Sequence, residues 1–242
     1  MANAINYQLS IFGNFTIGAD PDTIATLMRN INKETNTIFL PNIISSQQIE
    51  IPSNKITTTS NIGFITQDQQ YNIAILNERI DMNYNCLNGD SIELKSFYDL
   101  AIKAISAILD YSGTLSNRLA MNLQYVYEVH NYSALKERGK ELLKNVSFYD
   151  GKDYVEWSMR TNSQIKIAVG ESEEGVNVIT DISSAENAMG GNPVSMFHID
   201  INTLPLNKNM RFGKESLAQF VDNTMSIASD LITEIERLIS NE

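Results

Sequence analysis

The chain contains a single cysteine, Cys86, and two histidines, His130 and His198. One thiol excludes an internal disulfide, and so few soft ligands leave little from which to build a zinc site. Basic charge is also scarce, with 18 Lys and Arg against 29 Asp and Glu for a formal net charge of -11 at pH 7. That sign opposes a phosphate backbone and argues against direct nucleic-acid binding unless a local basic patch exists. No apolar run approaches the roughly 18 residues needed to cross a bilayer. Residues 1–9 lack a basic stretch leading into an apolar core, so neither a membrane association nor a secretory signal is expected and the cytoplasm is the expected compartment. The N-glycosylation patterns at Asn14, Asn131 and Asn145 are then chance matches. A glycine-rich phosphate loop is missing too, because Met189–Pro193 reads as a turn with no Lys or helix behind it. There is no Gly-x-Ser-x-Gly elbow. No catalytic residue, metal ligand or cofactor is therefore expected.

What is present is an ordinary globular balance, 43% hydrophobic and 19% charged over 242 residues, which excludes wholesale disorder and suits one large domain or two small ones. Asn and Ile are abundant, a bias of AT-rich genomes that points to a bacterial or phage origin. The acidic excess is spread along the chain. Residues 1–115 carry 6 basic and 11 acidic side chains, and residues 116–242 carry 12 and 18. A spread of this kind reads first as a solvated surface, and alternatively as an acidic face for a basic partner.

Periodicity supplies the elements. Ile5, Tyr7, Leu9 and Ile11 alternate with Asn6, Gln8 and Ser10, with Phe12 as an exception and Gly13 as an expected bulge. Asp20-Pro21-Asp22 starts a helix carrying Ile24, Leu27, Met28 and Ile31. Strands are expected at Ile38–Ile44 (an edge, because of Pro41), Ile49–Thr58, Ile62–Thr66, Tyr71–Leu76 and Arg79–Cys86. Asp90–Glu93 reads as a capping box before a helix that Gly113 ends. In the second half a long strand covers Leu119–Val129, followed by a helix near Ser133–Lys144. Further strands are expected at Tyr154–Arg160, Gln164–Val169, Val176–Ile182 and Val194–Asn202, with turns at Thr161-Asn162 and Glu171–Gly175. A long helix spans Lys214–Ser240. Each half, 1–115 and 116–242, thus reads β-α-β(4)-α. The expected fold class is α+β, a large antiparallel sheet with long helices packed on one face, the halves forming pseudo-repeats of one continuous unit.

The stretches Gly63–Asp68 and Ile75–Asp81, then Ser116–Leu119, then Ile201–Pro205 and Arg211-Phe212 resemble a broad group of bacterial proteins with sporadic distribution and no established activity. That resemblance implies a mobile-element, phage or defence locus and carries no catalytic residues. The element order resembles the duplicated TATA-binding-protein-like fold, although the acidic charge argues against a DNA saddle.

Individual residues offer little chemistry. Cys86 continues the apolar face of its strand and reads as a structural thiol. His198 and Asp200 are same-face strand neighbours that could form an orienting pair, though packing or surface roles weigh more. His130 falls at a strand end. Glu171, Glu173 and Glu174 lack the spacing of a divalent-ion loop and read as a solvated turn. Trp157 reads as core, or as a binding anchor at a sheet face. The amide and hydroxyl faces Asn6/Gln8/Ser10 and Asn122/Gln124 suit a shared surface for a peptide or polar small molecule, or simply reflect an Asn-rich composition. The favoured function is non-enzymatic binding of a macromolecule, with a protein partner that is basic if the acidic surface is the contact. A homodimer through the stripe broadened by Met225, Ile227 and Ala228 is a further expectation. The alternatives are a small-molecule sensor with a pocket between sheet and helices, and an acidic inhibitor, antitoxin or immunity protein.

Overall fold

The structure is a computed structural model that describes residues 3–50, 55–87, 91–128, 137, 139–141, 147, 152, 156–185 and 194–240. The strands are β1 (Asn3–Phe12), β2 (Phe39–Glu50), β3 (Lys55–Thr66), β4 (Tyr71–Ile75), β5 (Arg79–Asn85), β6 (Arg118–Glu128), β7 (Glu156–Val169), β8 (Ser172–Ala185) and β9 (Val194–Thr203). The helices whose bounds are described are α1 (Pro21–Thr35), α2 (Leu94–Ser112) and α3 (Lys214–Ser240), and residues 137 and 139–141 are also helical. All nine strands join one antiparallel sheet in the order β2-β3-β4-β5-β1-β6-β9-β8-β7. The two halves of the chain meet at its centre, where β1 pairs with β6 from Asn3↔Val126 to Phe12↔Arg118. The fold is therefore α+β, with the helices on one face of the sheet.

Alternation decides which face is covered. Tyr7, Leu9 and Ile11 of β1, Ile80, Met82 and Tyr84 of β5, Leu119, Met121 and Leu123 of β6, and Phe197, Ile199 and Ile201 of β9 are all buried. They meet Phe97, Tyr98, Ala101, Ile105 and Ile108 of α2 and Leu217, Phe220 and Val221 of α3 in one core. Tyr7 is the hub of this core, with ring centroids 5.8 Å from Tyr84, 5.7 Å from Phe97 and 5.8 Å from Tyr125. Such aromatic pairs add about 0.5–1.5 kcal/mol each beyond area burial. Burial raises the Tyr98 and Tyr125 hydroxyls above the usual phenolic range, so both stay protonated as core groups.

The helix ends follow local chemistry. Asp20 caps α1, accepting from the Thr23 backbone N–H at 3.0 Å, with Pro21 in the first turn and Asn36 leaving in the left-handed region. Gly113 ends α2 with φ 63° and its N–H on Leu109 O. Asp90 of the capping box expected at Asp90–Glu93 lies outside the described residues. The helix starts at Leu94, and Glu93 takes the cap position with no side-chain hydrogen bond.

Several expected strands are corrected. Ile49–Thr58 is not one strand but straddles the long β2–β3 hairpin, in which Glu50 pairs with Lys55. Tyr154–Arg160 and Gln164–Val169 merge into β7, and the turn expected at Thr161-Asn162 is continuous ladder, Thr161 facing Thr180 with their hydroxyls 2.6 Å apart. The outer half of this edge strand meets solvent, so polar residues interrupt the apolar period without interrupting the strand. The next turn is tighter than Glu171–Gly175, because Val169 already pairs with Ser172 across Gly170-Glu171, where Gly170 takes φ 67°. The second half consequently contributes β7, β8 and β9 after β6 rather than four further strands among the described residues. Gly13 is not a bulge; the irregularity in β1 falls between Ala4 and Asn6. The helix expected at Ser133–Lys144, the Met189–Pro193 turn and His130 lie wholly or mostly outside the described residues. No helix among the described residues is long and apolar enough to cross a membrane.

Candidate functional site

Asn6, Gln8, Ser10, Asn122 and Gln124 all lie on the sheet face turned away from the helices. The register places Asn6 beside Gln124, and Gln8 beside Asn122. These side chains bond mainly to polar groups of neighbouring strands. Asn6 donates to Asn85 Oδ1 at 2.9 Å, Asn122 donates to Gln8 Oε1 at 3.4 Å, and Ser10 donates to Asp81 Oδ1 at 2.6 Å. Gln124 is exposed, between Asn6 and His198 in register. The row continues outward, Asn202 donating to Asp200 and accepting from Asn177, and Asn177 accepting from Gln164. An amide uses one to three of its four hydrogen-bonding positions in such a row, so the face retains capacity for a ligand.

Trp157 does not belong to that surface. It sits on the opposite face of β7, buried in the core, with its indole ring 2.7 Å from where a Cβ on Gly139 would stand. His198 and Asp200 do not pair with each other. His198 Nε2 is 3.1 Å from Asn122 Oδ1, and Asp200 accepts from Asn202. Glu174 is claimed by Arg211 and Glu173 faces Lys166 at 3.6 Å, so the acidic turn is occupied by ion pairs. No group of three or more His, Cys, Asp or Glu among the described residues is arranged to hold a metal ion. Cys86 is half-buried against the core. Met225 and Ile227 of α3 are partly buried on the same core, and Ala228 is fully buried.

Among the described residues, the sheet–helix interface, where a sensor pocket was expected, is packed with core side chains. A cavity of about 1070 Å³ opens instead on the uncovered side, at the C-terminal end of β1. Its walls come from Ile44 of β2, Asn61 of β3, the β4–β5 turn (Leu76, Asn77, Glu78), Arg79, Asn117, Arg118 and the segment after β9 (Pro205, Asn207, Lys208, Met210). On a flat sheet β2 and β6 would stand about 24 Å apart, five strand spacings. Their meeting around one cavity means that the face curls here.

Phe12 forms the floor. It is paired in register with Arg79 on one side and Arg118 on the other. The guanidinium carbons stand 5.9 Å and 4.7 Å from its ring centroid, within cation–π range. The two arginines differ in their charge partners. Arg79 Nε lies 2.8 Å from Asp81 Oδ2, a charge contact whose N–H is not aligned as a hydrogen bond. Asp81 is 5% exposed in its side chain and also accepts from Ser10. Burial pushes its carboxyl up from the usual range, against the opposing pull of Ser10 and Arg79. Arg118 has no carboxylate partner among the described residues. Its Nη2 donates to the neutral Asn202 Oδ1 at 3.0 Å, and its Nε is buried without a partner. Lys208 and Glu78 stand exposed on the rim.

The wall after β9 is held firmly. Arg211 makes a two-point bond to Glu174, 2.8 Å through Nε and 2.9 Å through Nη2, and donates from Nη1 to Asn117 O at 2.6 Å and Asn209 O at 3.0 Å. Phe212 bridges to Ser116 through reciprocal backbone bonds. Gly13 permits the approach of this wall, since a Cβ there would fall 2.9 Å from Met210 Cε and 3.3 Å from Leu115 O.

Comparison with protein-family models, with curated proteins and with solved structures finds no match for this chain. The site is therefore read from its own geometry. Phe12, Arg79, Arg118 and Lys208 are residues that sequence reasoning did not nominate. One signal pointed to them, the break in alternation at Phe12, which sets a large apolar side chain on an otherwise polar face.

Proposed function

We propose that this protein is a binding protein whose pocket at Phe12 receives a ligand bearing negative charge. The observation that carries this reading is Arg118, a half-buried guanidinium on the pocket wall with no carboxylate beside it among the described residues, while its neighbour Arg79 has Asp81. An uncompensated, partly desolvated cation is costly, and a ligand anion supplies the missing partner. The lining supports binding over catalysis. Among the described residues it offers two guanidiniums, one amine, one carboxylate and five asparagines, so donors for an anion outnumber the groups that could act as nucleophile or base, Glu78 and Lys208. The volume is that of a site for a small organic molecule or a short peptide segment.

Thermal unfolding against a panel of singly and doubly charged organic anions tests this. A true ligand at one hundred times its Kd stabilises the chain by about 2.7 kcal/mol, and Arg118→Met abolishes the gain. If no anion stabilises the native chain more than the variant, the reading falls.

A second reading, in which a protein partner delivers an acidic segment, draws on the apolar side chains around the mouth. Leu206 is 87% exposed, Leu115 44% and Met210 39%. This keeps the macromolecular function expected from the sequence but reverses the charge of the contacting segment. Native mass spectrometry separates the two, a few hundred daltons of retained mass favouring the first and a stoichiometric polypeptide the second.

A further inference from the structure

Resting on the anion-pocket reading, we infer that the ligand presents a single carboxylate to Arg118, next to amide or similar hydrogen-bonding groups. Charge is the first argument. Within the wall, Arg79 and Asp81 cancel, and on the rim Lys208 and Glu78 offset one another in solvent. One positive charge is left, at Arg118. A phosphate monoester carries about -1.5 to -2 at neutral pH and would set its surplus charge near the buried carboxylate of Asp81.

Shape is the second argument. The Arg118 guanidinium is held 4.7 Å over the Phe12 ring, with Nη2 tied to Asn202. A planar fork steadied in this way matches the planar, two-oxygen edge of a carboxylate. The donors that usually gather around phosphate, backbone N–H groups at a helix start or glycine-rich nest, do not line this cavity among the described residues, whose walls are strand ends, the β4–β5 turn and the segment after β9 with its turn at Pro205-Leu206. The asparagines are the third argument. Asn14, Asn61, Asn77, Asn117 and Asn207 surround the cavity, and a primary amide both donates to and accepts from another amide. The chemistry fits an acylated amino acid, or the free C-terminal end of a polypeptide.

The test is an NMR titration of the full chain at low salt, following the backbone amides of Phe12, Asn117 and Arg118 and the Arg118 Nε–H. Three probes are compared, N-acetylglycine, its uncharged amide N-acetylglycinamide, and inorganic phosphate. The expected result is saturable shifts with N-acetylglycine at a Kd about tenfold or more below that of the uncharged amide, and weaker binding of phosphate. Arg118→Met is expected to erase the preference, and Arg118→Lys to retain part of it. Equal binding of the uncharged amide, or tighter binding of phosphate, overturns the carboxylate assignment while leaving the pocket in place. Absence of any shift with all three overturns the pocket reading itself. An acetylated tetrapeptide with a free C-terminus then decides the source, since about tenfold tighter binding than N-acetylglycine assigns the chemistry to a chain end and equal binding to a small molecule.

Discussion

Two arginines with different partners, Arg118 on a neutral amide and Arg211 on a carboxylate, should respond very differently to the same substitution. Arg211→Met removes a two-point bond to Glu174, whose side chain is 13% exposed, and takes donors from the carbonyls of Asn117 and Asn209. Breaking one side of a largely buried ion pair leaves the other charge uncompensated and costs about 3–5 kcal/mol. Arg118→Met removes one hydrogen bond to a neutral amide, worth about 1 kcal/mol, and one cation–π contact, worth about 0.5–1 kcal/mol. It also removes a buried Nε with no partner, relieving about 1–3 kcal/mol of desolvation, and it strands no carboxylate. The net change is within about 1 kcal/mol of zero. Urea unfolding followed by circular dichroism, with a common m-value for both variants, reads the difference directly. If Arg118→Met costs about 3 kcal/mol or more, as Arg211→Met does, then Arg118 is a structural residue and the argument that its charge awaits a ligand is refuted.

Other outcomes follow from the same sheet. Ser10→Ala takes the 2.6 Å donor from buried Asp81 and is expected to cost about 1–3 kcal/mol by urea unfolding, with the loss greatly reduced in an Asp81→Asn background. Asp81 also imposes a pH dependence. Its folded-state pKa is raised, so between its unfolded value near about 3.9 and the higher folded value the native state keeps a proton that the unfolded chain has lost, and stability falls as pH rises through that window. The difference between wild-type and Asp81→Asn unfolding curves, measured from acid to neutral pH, should show that fall, and a difference that rises with pH would reverse the argument. Leu9→Ala, on the covered face between Met82 and Met121, should cost about 2–5 kcal/mol. Gln8→Ala one residue earlier, on the open face, should cost less than about 1 kcal/mol, and similar losses at the two positions would contradict the assignment of faces.

The parts of this fold that were legible in the sequence are those where a local rule and burial agree. β1, β5 and β6 alternate cleanly because they lie at the centre of the sheet, with one face in the core and the other polar. α1 is marked by Asp20-Pro21, and α2 is terminated by Gly113. Legibility fails towards the edges. β7 carries Arg160, Thr161, Asn162, Ser163 and Gln164 in succession, all exposed, because an edge strand needs little buried area once a fourteen-residue ladder to β8 holds it. A break in apolar period therefore does not mark a turn at such a position. The start of α2 was not legible for another reason: a cap depends on where the first helical residue falls, and the helix starts at Leu94 with Glu93 in the cap position.

The candidate site was hidden for a reason of a different kind. Phe12, Arg79 and Arg118 are neighbours only through sheet register, across separations of 67 and 106 residues along the chain. No spacing rule joins them, and the net charge of -11 directed attention to acidic surfaces and basic partners. Net charge is a sum over the whole surface, whereas recognition depends on which charges lie within a few ångström of the ligand and how far water screens the rest. An acidic chain can thus hold a cationic pocket without contradiction, and its acidity has a consequence for binding. Long-range repulsion slows the approach of an anionic ligand, while the contact with Arg118, once formed, is screened much less. Adding salt should therefore raise the association rate and leave the dissociation rate of a bound carboxylate nearly constant. An anion held only by diffuse surface charge would behave otherwise, dissociating faster as salt is added.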